Sequence, residues 1–324
     1  MQTFLLILII FFTANLLLFV GIKVCSYSVY GRSAMATIAE LFLRTQPDKK
    51  ALNDEKRIND YLQERRIENA KKFIPPKIKT KSKMSKTIFL GCDVFTFVNT
   101  TSPRATLIYL HGGGFIRRPC RYHFAICDKL STTLNVKVVM PLYPLSPEFN
   151  VKHAFYLLGR LYDLYKGQKV VLAGDSAGGG LALSFCEYLL EERKVLPQKL
   201  ILFSPWVDLS MDNLDAKKFE KIDPSLSILG LKVIGKAWAG DTFIKDYTVS
   251  PLYGNVKGLC PIFLTTGERE LFYPDIARLK NRLENEKVPY KFYVGKGLNH
   301  AYPLYPILEA KQTLLDVEKF LKDV

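Results

Sequence analysis

Val170-Val171-Leu172-Ala173-Gly174-Asp175-Ser176-Ala177-Gly178-Gly179-Gly180 is the stretch whose reading decides the fold. Four apolar residues, the length of a buried strand, run into a glycine-flanked serine and then into a helical pattern from Ser176 to Arg193. A serine in so tight a turn needs neighbours without side chains, because the flanking backbone must approach closely. Gly174 and Gly178 supply that room, and Gly179 and Gly180 extend it into the helix. The start of a helix also turns its partial positive charge toward any alkoxide that forms on the serine. A phosphate-binding glycine loop would need a lysine in the turn, and none is present. The stretch therefore predicts a nucleophile, Ser176, on a strand–turn–helix elbow, with Asp175 in its turn.

Working outward, short apolar runs alternate with helical patterns, as in a parallel sheet with crossover helices. Strands are expected at 107–110, 136–140, 170–173, 200–203, 262–265 and 291–294, with an earlier β segment over 87–98 interrupted at Gly91. Helices are expected over 123–134, 153–165, 176–193 and about 305–322, and before the sheet from Ser33 to about Lys72, where Ala34, Ile38, Leu41 and Leu43 form an apolar stripe. The alternation pauses for a helical insert at about 212–249, which suits a lid. The chain thus divides into an N-terminal anchor over 1–22, a helical cap segment with a basic linker over 23–86, and an α/β domain over 87–324. With 48% hydrophobic and 12% aromatic residues, the 324-residue chain can bury a sizeable core.

His111-Gly112-Gly113-Gly114-Phe115 follows the strand at 107–110 directly. Glycines free backbone N–H groups to point into a cavity, as an oxyanion hole requires. A serine hydroxyl needs a histidine base, and the chain has four histidines: His111, His123, His153 and His300. On a nucleophile elbow the chain order is serine, acid, histidine, and only His300 follows Ser176. His111 belongs to the glycine loop as an orienting residue, whereas His123 and His153 fall in helices and read as structural. The acid must lie between Ser176 and His300 near a strand end, where Glu268, Glu270 and Asp275 compete.

Phe4 to Ile22 carries no charge and would span about 28 Å as a helix, close to the thickness of a bilayer core. It predicts an uncleaved single-pass anchor ahead of a cleaved signal peptide, since no basic residue precedes it and no small-residue cleavage site lies near. Lys23, Arg32 and Arg44 on its C-terminal side favour a cytoplasmic body. The net charge of +15 is concentrated early: residues 23–90 hold 16 Lys+Arg against 7 Asp+Glu. Attraction to anionic lipid and a solvated linker explain that charge equally well. No nucleic-acid-binding module accompanies it, so nucleic acid is excluded as a partner. Six dispersed cysteines show no CxxC pair and no zinc spacing, so no metal is expected, and acyl transfer on a serine calls for no cofactor. Nothing specifies an oligomer.

From about Thr87 to Val324 the chain resembles the hormone-sensitive-lipase family of α/β-hydrolases. The likeness rests on His111-Gly112-Gly113-Gly114, Gly174-Asp175-Ser176-Ala177-Gly178-Gly179 and Ser204-Pro205-Trp206-Val207-Asp208-Leu209. Tyr143-Pro144-Leu145-Ser146-Pro147-Glu148 is similar to a further family segment, with Pro144 in place of its arginine. The resemblance implies an α/β-hydrolase fold, with a mostly parallel central sheet flanked by helices and a helical cap. It implies an oxyanion hole from Gly113, Gly114 and the N–H of Ala177, and it places the family's acid, more often aspartate, at Glu270. An anchor joined to such a domain is similar in plan to arylacetamide deacetylase-like proteins. The expected activity is cleavage of small-molecule or lipid carboxylic esters of short to medium acyl length, through an acyl-enzyme on Ser176. The same triad would permit amide hydrolysis, deacetylation or a membrane lipase; a non-catalytic receptor would have lost the serine or the histidine.

Overall fold

Eight runs join one sheet: the inner parallel runs are apolar and buried on both faces, whereas the first and last are edges and largely exposed. The structure is a computed structural model and describes residues 2–324; the side chains of several residues between 2 and 18 lie outside the described set. In chain order the elements are α1 (Gln2–Tyr30), α2 (Ala34–Thr45), α3 (Asp48–Leu52), α4 (Glu55–Ala70), β1 (Lys83–Phe89), β2 (Cys92–Val98), β3 (Thr106–Leu110), α5 (Arg121–Leu134) and β4 (Lys137–Pro141). They continue with α6 (Val151–Asp163), β5 (Val170–Asp175), α7 (Ser176–Glu191), β6 (Lys199–Phe203), α8 (Ala216–Glu220), α9 (Ile228–Ala239), β7 (Ile262–Gly267), α10 (Tyr273–Asn285), β8 (Tyr290–Gly295) and α11 (Leu308–Phe320).

The strand order is β1-β2-β4-β3-β5-β6-β7-β8. β1 and β2 pair antiparallel, as do β2 and β4, and the remaining pairs are parallel. Along β3 the period of two splits the side chains between two cores: Leu107 and Tyr109 share one with Phe124 and Val317, while Ile108 and Leu110 share the other with Leu172 and Phe185. This is an α/β-hydrolase fold with a mostly parallel eight-stranded sheet flanked by helices. The C-terminal ends of β3, β5, β7 and β8 lie along one sheet edge, where open α/β sheets place their chemistry.

Two elements depart from the sequence reading. β1 begins at Lys83, inside the basic stretch, because Asp128 fixes the chain just before it: Asp128 Oδ1 accepts from the N–H groups of Lys81 (3.0 Å) and Ser82 (2.8 Å). α10 has no counterpart among the expected helices, since its charged residues obscure a stripe of Ile276, Leu279 and Leu283 that is fully buried.

The anchor expected over 1–22, and with it the single-pass membrane placement of a cytoplasmic body, is corrected. Among the described residues no helix is long and apolar enough to cross a membrane. The apolar run of the described part of α1 is broken by Thr13 and Asn15, and toward its C-terminal end Ser26 docks on the protein body while Val24, Tyr27 and Val29 stay exposed. Ser26 is fully buried, with its Oγ 2.7 Å from Thr37 Oγ1 on α2. The length of an apolar run says nothing about what its far end docks against.

Glu187 on α7 is fully buried, and neither carboxyl oxygen has a hydrogen-bond partner among the described residues. Burial pushes its pKa well above the usual carboxylate range, and nearby Arg282 offsets this only in part. A pKa raised on folding contributes stability that is complete below the unfolded value of about 4.3 and is lost as pH rises toward the folded value. Glu187→Gln should therefore flatten this loss, stabilising the protein by about 1–3 kcal/mol at pH 8 and little at pH 4. Urea midpoints at the two pH values check it; parallel pH profiles for parent and variant would refute a neutral Glu187.

Candidate active site

β5 passes into α7 with no loop between Asp175 and Ser176. Ser176 has φ +53°, a left-handed conformation that costs a non-glycine residue about 1–2 kcal/mol. The turn is held by the Trp206 N–H, which donates to the Ser176 carbonyl at 2.9 Å. Gly178 admits no side chain, because a Cβ there would strike the carbonyl oxygen of Leu110 at the end of β3.

The structure brings Ser176, His300 and Glu270 together. His300 lies on the loop after β8, with Nε2 2.8 Å from Ser176 Oγ and Nδ1 3.2 Å from Glu270 Oε2. Both contacts are met when Nδ1–H donates to Glu270 and Nε2 accepts from the serine hydroxyl. Thr266 Oγ1 donates to Glu270 Oε1 at 2.6 Å, so both oxygens of this fully buried carboxylate are engaged. Burial works to lower the His300 pKa, but the hydrogen bond and charge of Glu270 outweigh it and the net shift is upward.

The other two acids lie elsewhere. Glu268 Oε2 accepts from the Gly297 N–H at 2.8 Å and braces the histidine loop. Asp275 sits in the first turn of α10, bonded to Asn213 (2.8 Å) and Arg278 (2.9 Å). Two residues that sequence reasoning missed brace the Ser176–His300–Glu270 contacts. One is Thr266; the other is Asp223 in the insert, whose Oδ2 accepts from the Leu271 N–H at 2.9 Å, one residue beyond Glu270. Neither carries a motif that could have singled it out.

Gly113 (φ +116°) and Gly114 (φ +63°) adopt backbone conformations that side chains disfavour, and their N–H groups have no partner among the described residues. Both line a cavity of about 250 Å³ together with Ser176 and His300, and Ala177 is buried in the first turn of α7. Asp175 locks the start of the glycine loop: Oδ1 accepts from the Tyr109 hydroxyl (2.7 Å) and the Gly112 N–H (3.0 Å), and Oδ2 lies 3.4 Å from His123 Nε2. His111 stacks on Tyr143 at 4.6 Å, with Nδ1 2.7 Å from the Gly112 carbonyl. Burial and the neighbouring His123 push its pKa down to about 3, so it stays neutral and braces the loop. His153 caps α6 through Asn150 and takes no part in the relay.

Leu43, Leu52 and Tyr61 from α2–α4 and Leu231 and Ile234 from α9 also line the cavity, so the N-terminal helices and the insert both overhang Ser176. A file of aromatic rings runs beneath the site: Trp238 on Phe115 (4.1 Å), Phe115 on Trp206 (5.7 Å) and Trp206 on Phe272 (5.7 Å). Phe272 then meets His300 edge-on at 5.1 Å. A larger cavity of about 1200 Å³, between α4, the β1–β2 hairpin and α6, contains none of Ser176, Glu270 or His300. Among the described residues no group of His, Cys, Asp and Glu could hold a metal ion.

Comparison with known proteins fits this geometry. The profile of a family described as having the alpha/beta hydrolase fold matches residues 107–304. An esterase of Acinetobacter venetianus is 30% identical over 225 residues, 66% of this chain and 73% of that one. An acetyl-hydrolase of Streptomyces hygroscopicus is 25% identical over 65% of this chain and 73% of its own length. A crystal structure of a Staphylococcus aureus protein assigned as an esterase superposes with a TM-score of 0.81 at 29% identity, covering 85% of this chain and 96% of that one. The chain therefore belongs to the alpha/beta-hydrolase fold family, as a serine hydrolase of its esterase/lipase type.

Proposed function

We propose that this protein hydrolyses carboxylic esters of short acyl length, with Ser176 as nucleophile, His300 as base and Glu270 as the acid that orients it. The relay at 2.8 Å and 3.2 Å carries the proposal. Ser176 Oγ attacks the ester carbonyl carbon while His300 Nε2 takes its proton. The unpartnered N–H groups of Gly113 and Gly114, with that of Ala177, receive the oxyanion. The imidazolium protonates the departing alcohol; water, deprotonated by the same nitrogen, then releases the acid. Glu270 holds the imidazole in the required tautomer and favours its charged form.

The cavity favours small substrates, since about 250 Å³ is less than the usual range for sites that hold drug-sized ligands. The acetyl-hydrolase among the relatives points to the same substrate class. In this reading residues 23–86 and the insert at about 212–249 form the cap that sets this limit. The amide rival demands a better-protonated leaving group and finds no particular support in the site.

Rates with p-nitrophenyl acetate, butyrate and laurate, beside matched anilides, test the proposal. The acetate or butyrate should lead, the laurate should fall by at least about tenfold, and anilides should be slower still. Because His300 must be neutral to act and its pKa is raised, kcat/KM should fall on the acid side with a midpoint above 6.5. A laurate optimum, or a midpoint below 6.5, would count against the reading.

A further inference from the structure

The two loops that carry Glu270 and His300 are tied to each other and to a segment made hundreds of residues earlier. Arg32 is buried between α1 and α2, with its Nη1 donating to Glu40 Oε2 at 2.5 Å and to the Gly297 carbonyl at 2.7 Å. Its Nε donates to Thr37 Oγ1 at 3.0 Å. Glu40, also buried, receives Arg44 Nη2 at 2.6 Å and Arg269 Nη2 at 3.4 Å. Arg269 precedes Glu270, and its N–H donates to the Leu298 carbonyl at 2.9 Å, two residues before His300. Tyr30, the last residue of α1, lies under both cations, 4.6 Å from Arg32 and 4.9 Å from Arg269. Gly297 (φ +64°) fits only because it lacks a side chain: a Cβ there would strike the Tyr30 carbonyl.

Buried ion networks seldom add net stability, because desolvation consumes what the charges gain. This one bridges the two loops whose separation sets the Glu270–His300 contact. We propose that Arg32 and Glu40 are positioning residues for the ester hydrolysis: with Tyr30 they form a clasp that holds the acid loop and the histidine loop in register. The inference rests on the assignment of Glu270 and His300 given above. Glu40 is suited to the centre of the clasp: burial opposes its charge, but the hydrogen bonds from Arg44 and Arg32 outweigh it and lower its pKa.

The test uses the full chain, with Arg32→Ala, Arg32→Lys, Glu40→Gln and Gly297→Ala compared for kcat, KM and the pH profile of kcat/KM on p-nitrophenyl butyrate. Gly297→Ala loosens the clasp from the loop side and leaves no charge buried alone, so it serves if Arg32→Ala fails to fold. Each loosened variant should lose about ten- to a hundredfold in kcat with KM within about twofold. The acid midpoint should move down, since His300 loses part of the contact that raises its pKa. Arg32→Lys should recover most of the rate. Folded variants of lower melting temperature with the parent's kcat and acid midpoint would overturn the proposal and leave the clasp a structural feature. Ser176→Ala run in parallel separates the two layers: if it kept turnover, the triad assignment would fail, whatever the clasp variants do.

Discussion

Ser176→Ala is expected to lower kcat for p-nitrophenyl butyrate by about 10⁴- to 10⁶-fold, the range found when a triad nucleophile is removed. The argument is positional. Ser176 is the one hydroxyl within hydrogen-bond distance of His300 Nε2 among the described residues, and the elbow aims it at the cavity lined by Gly113 and Gly114. Alanine keeps the backbone turn and removes only Oγ, so the fold should be retained and the melting temperature should shift by no more than a few degrees. Labelling by a fluorophosphonate should disappear with the activity. A folded variant retaining more than about one percent of the parent rate would assign the attack to another group.

Glu270→Gln is the second large effect, expected to cost about 10³- to 10⁴-fold in kcat. The carboxylate does two things that the amide cannot. It accepts from both His300 Nδ1–H and Thr266 Oγ1–H, and its charge favours the imidazolium formed when Ser176 attacks. The amide can present its NH₂ to Nδ1, which selects the wrong tautomer and removes the lone pair needed at Nε2. The acid midpoint of kcat/KM should fall as well, because the raised pKa of His300 depends on that charge. Asp275→Asn supplies the contrast: Asp275 is bonded to Asn213 and Arg278 away from the relay, so its loss should leave kcat nearly unchanged. A reversed pattern would mean that the acid had been misassigned.

What was legible in the sequence followed from local chemistry. The parallel strands show as apolar runs of fixed length, and the turn at Gly174–Gly178 admits few uses. His300 follows from chain order once Ser176 is recognised. The proposed acid was only partly legible: Glu268, Glu270 and Asp275 lie within eight residues, and a tight turn after β7 decides which of them faces His300. Arg269 is held by Leu298 and Asp223 by Leu271 across distances that leave no periodic trace. The helix α10 could have been read from Ile276, Leu279 and Leu283 but was masked by interleaved charge. The N-terminal run misled for the opposite reason: its local composition is strong, while the residues just beyond it are tied to the body, Ser26 to Thr37 and Tyr30 to the distant Arg269.

The contact from Arg32 to Gly297 spans 265 positions of the chain. During synthesis the segment that carries Arg32 emerges well before the histidine loop. Glu40 and Arg32 can pair early, but their partner carbonyl does not yet exist, and such non-local closures are slow to form. On the proposed assignment the protein is thus assembled with its chemistry withheld: the sheet can be largely built before His300 and Glu270 come into register. Nascent chains stalled just beyond residue 300 should therefore gain activity toward esters only once the histidine loop has docked on the earlier-made Arg32 segment.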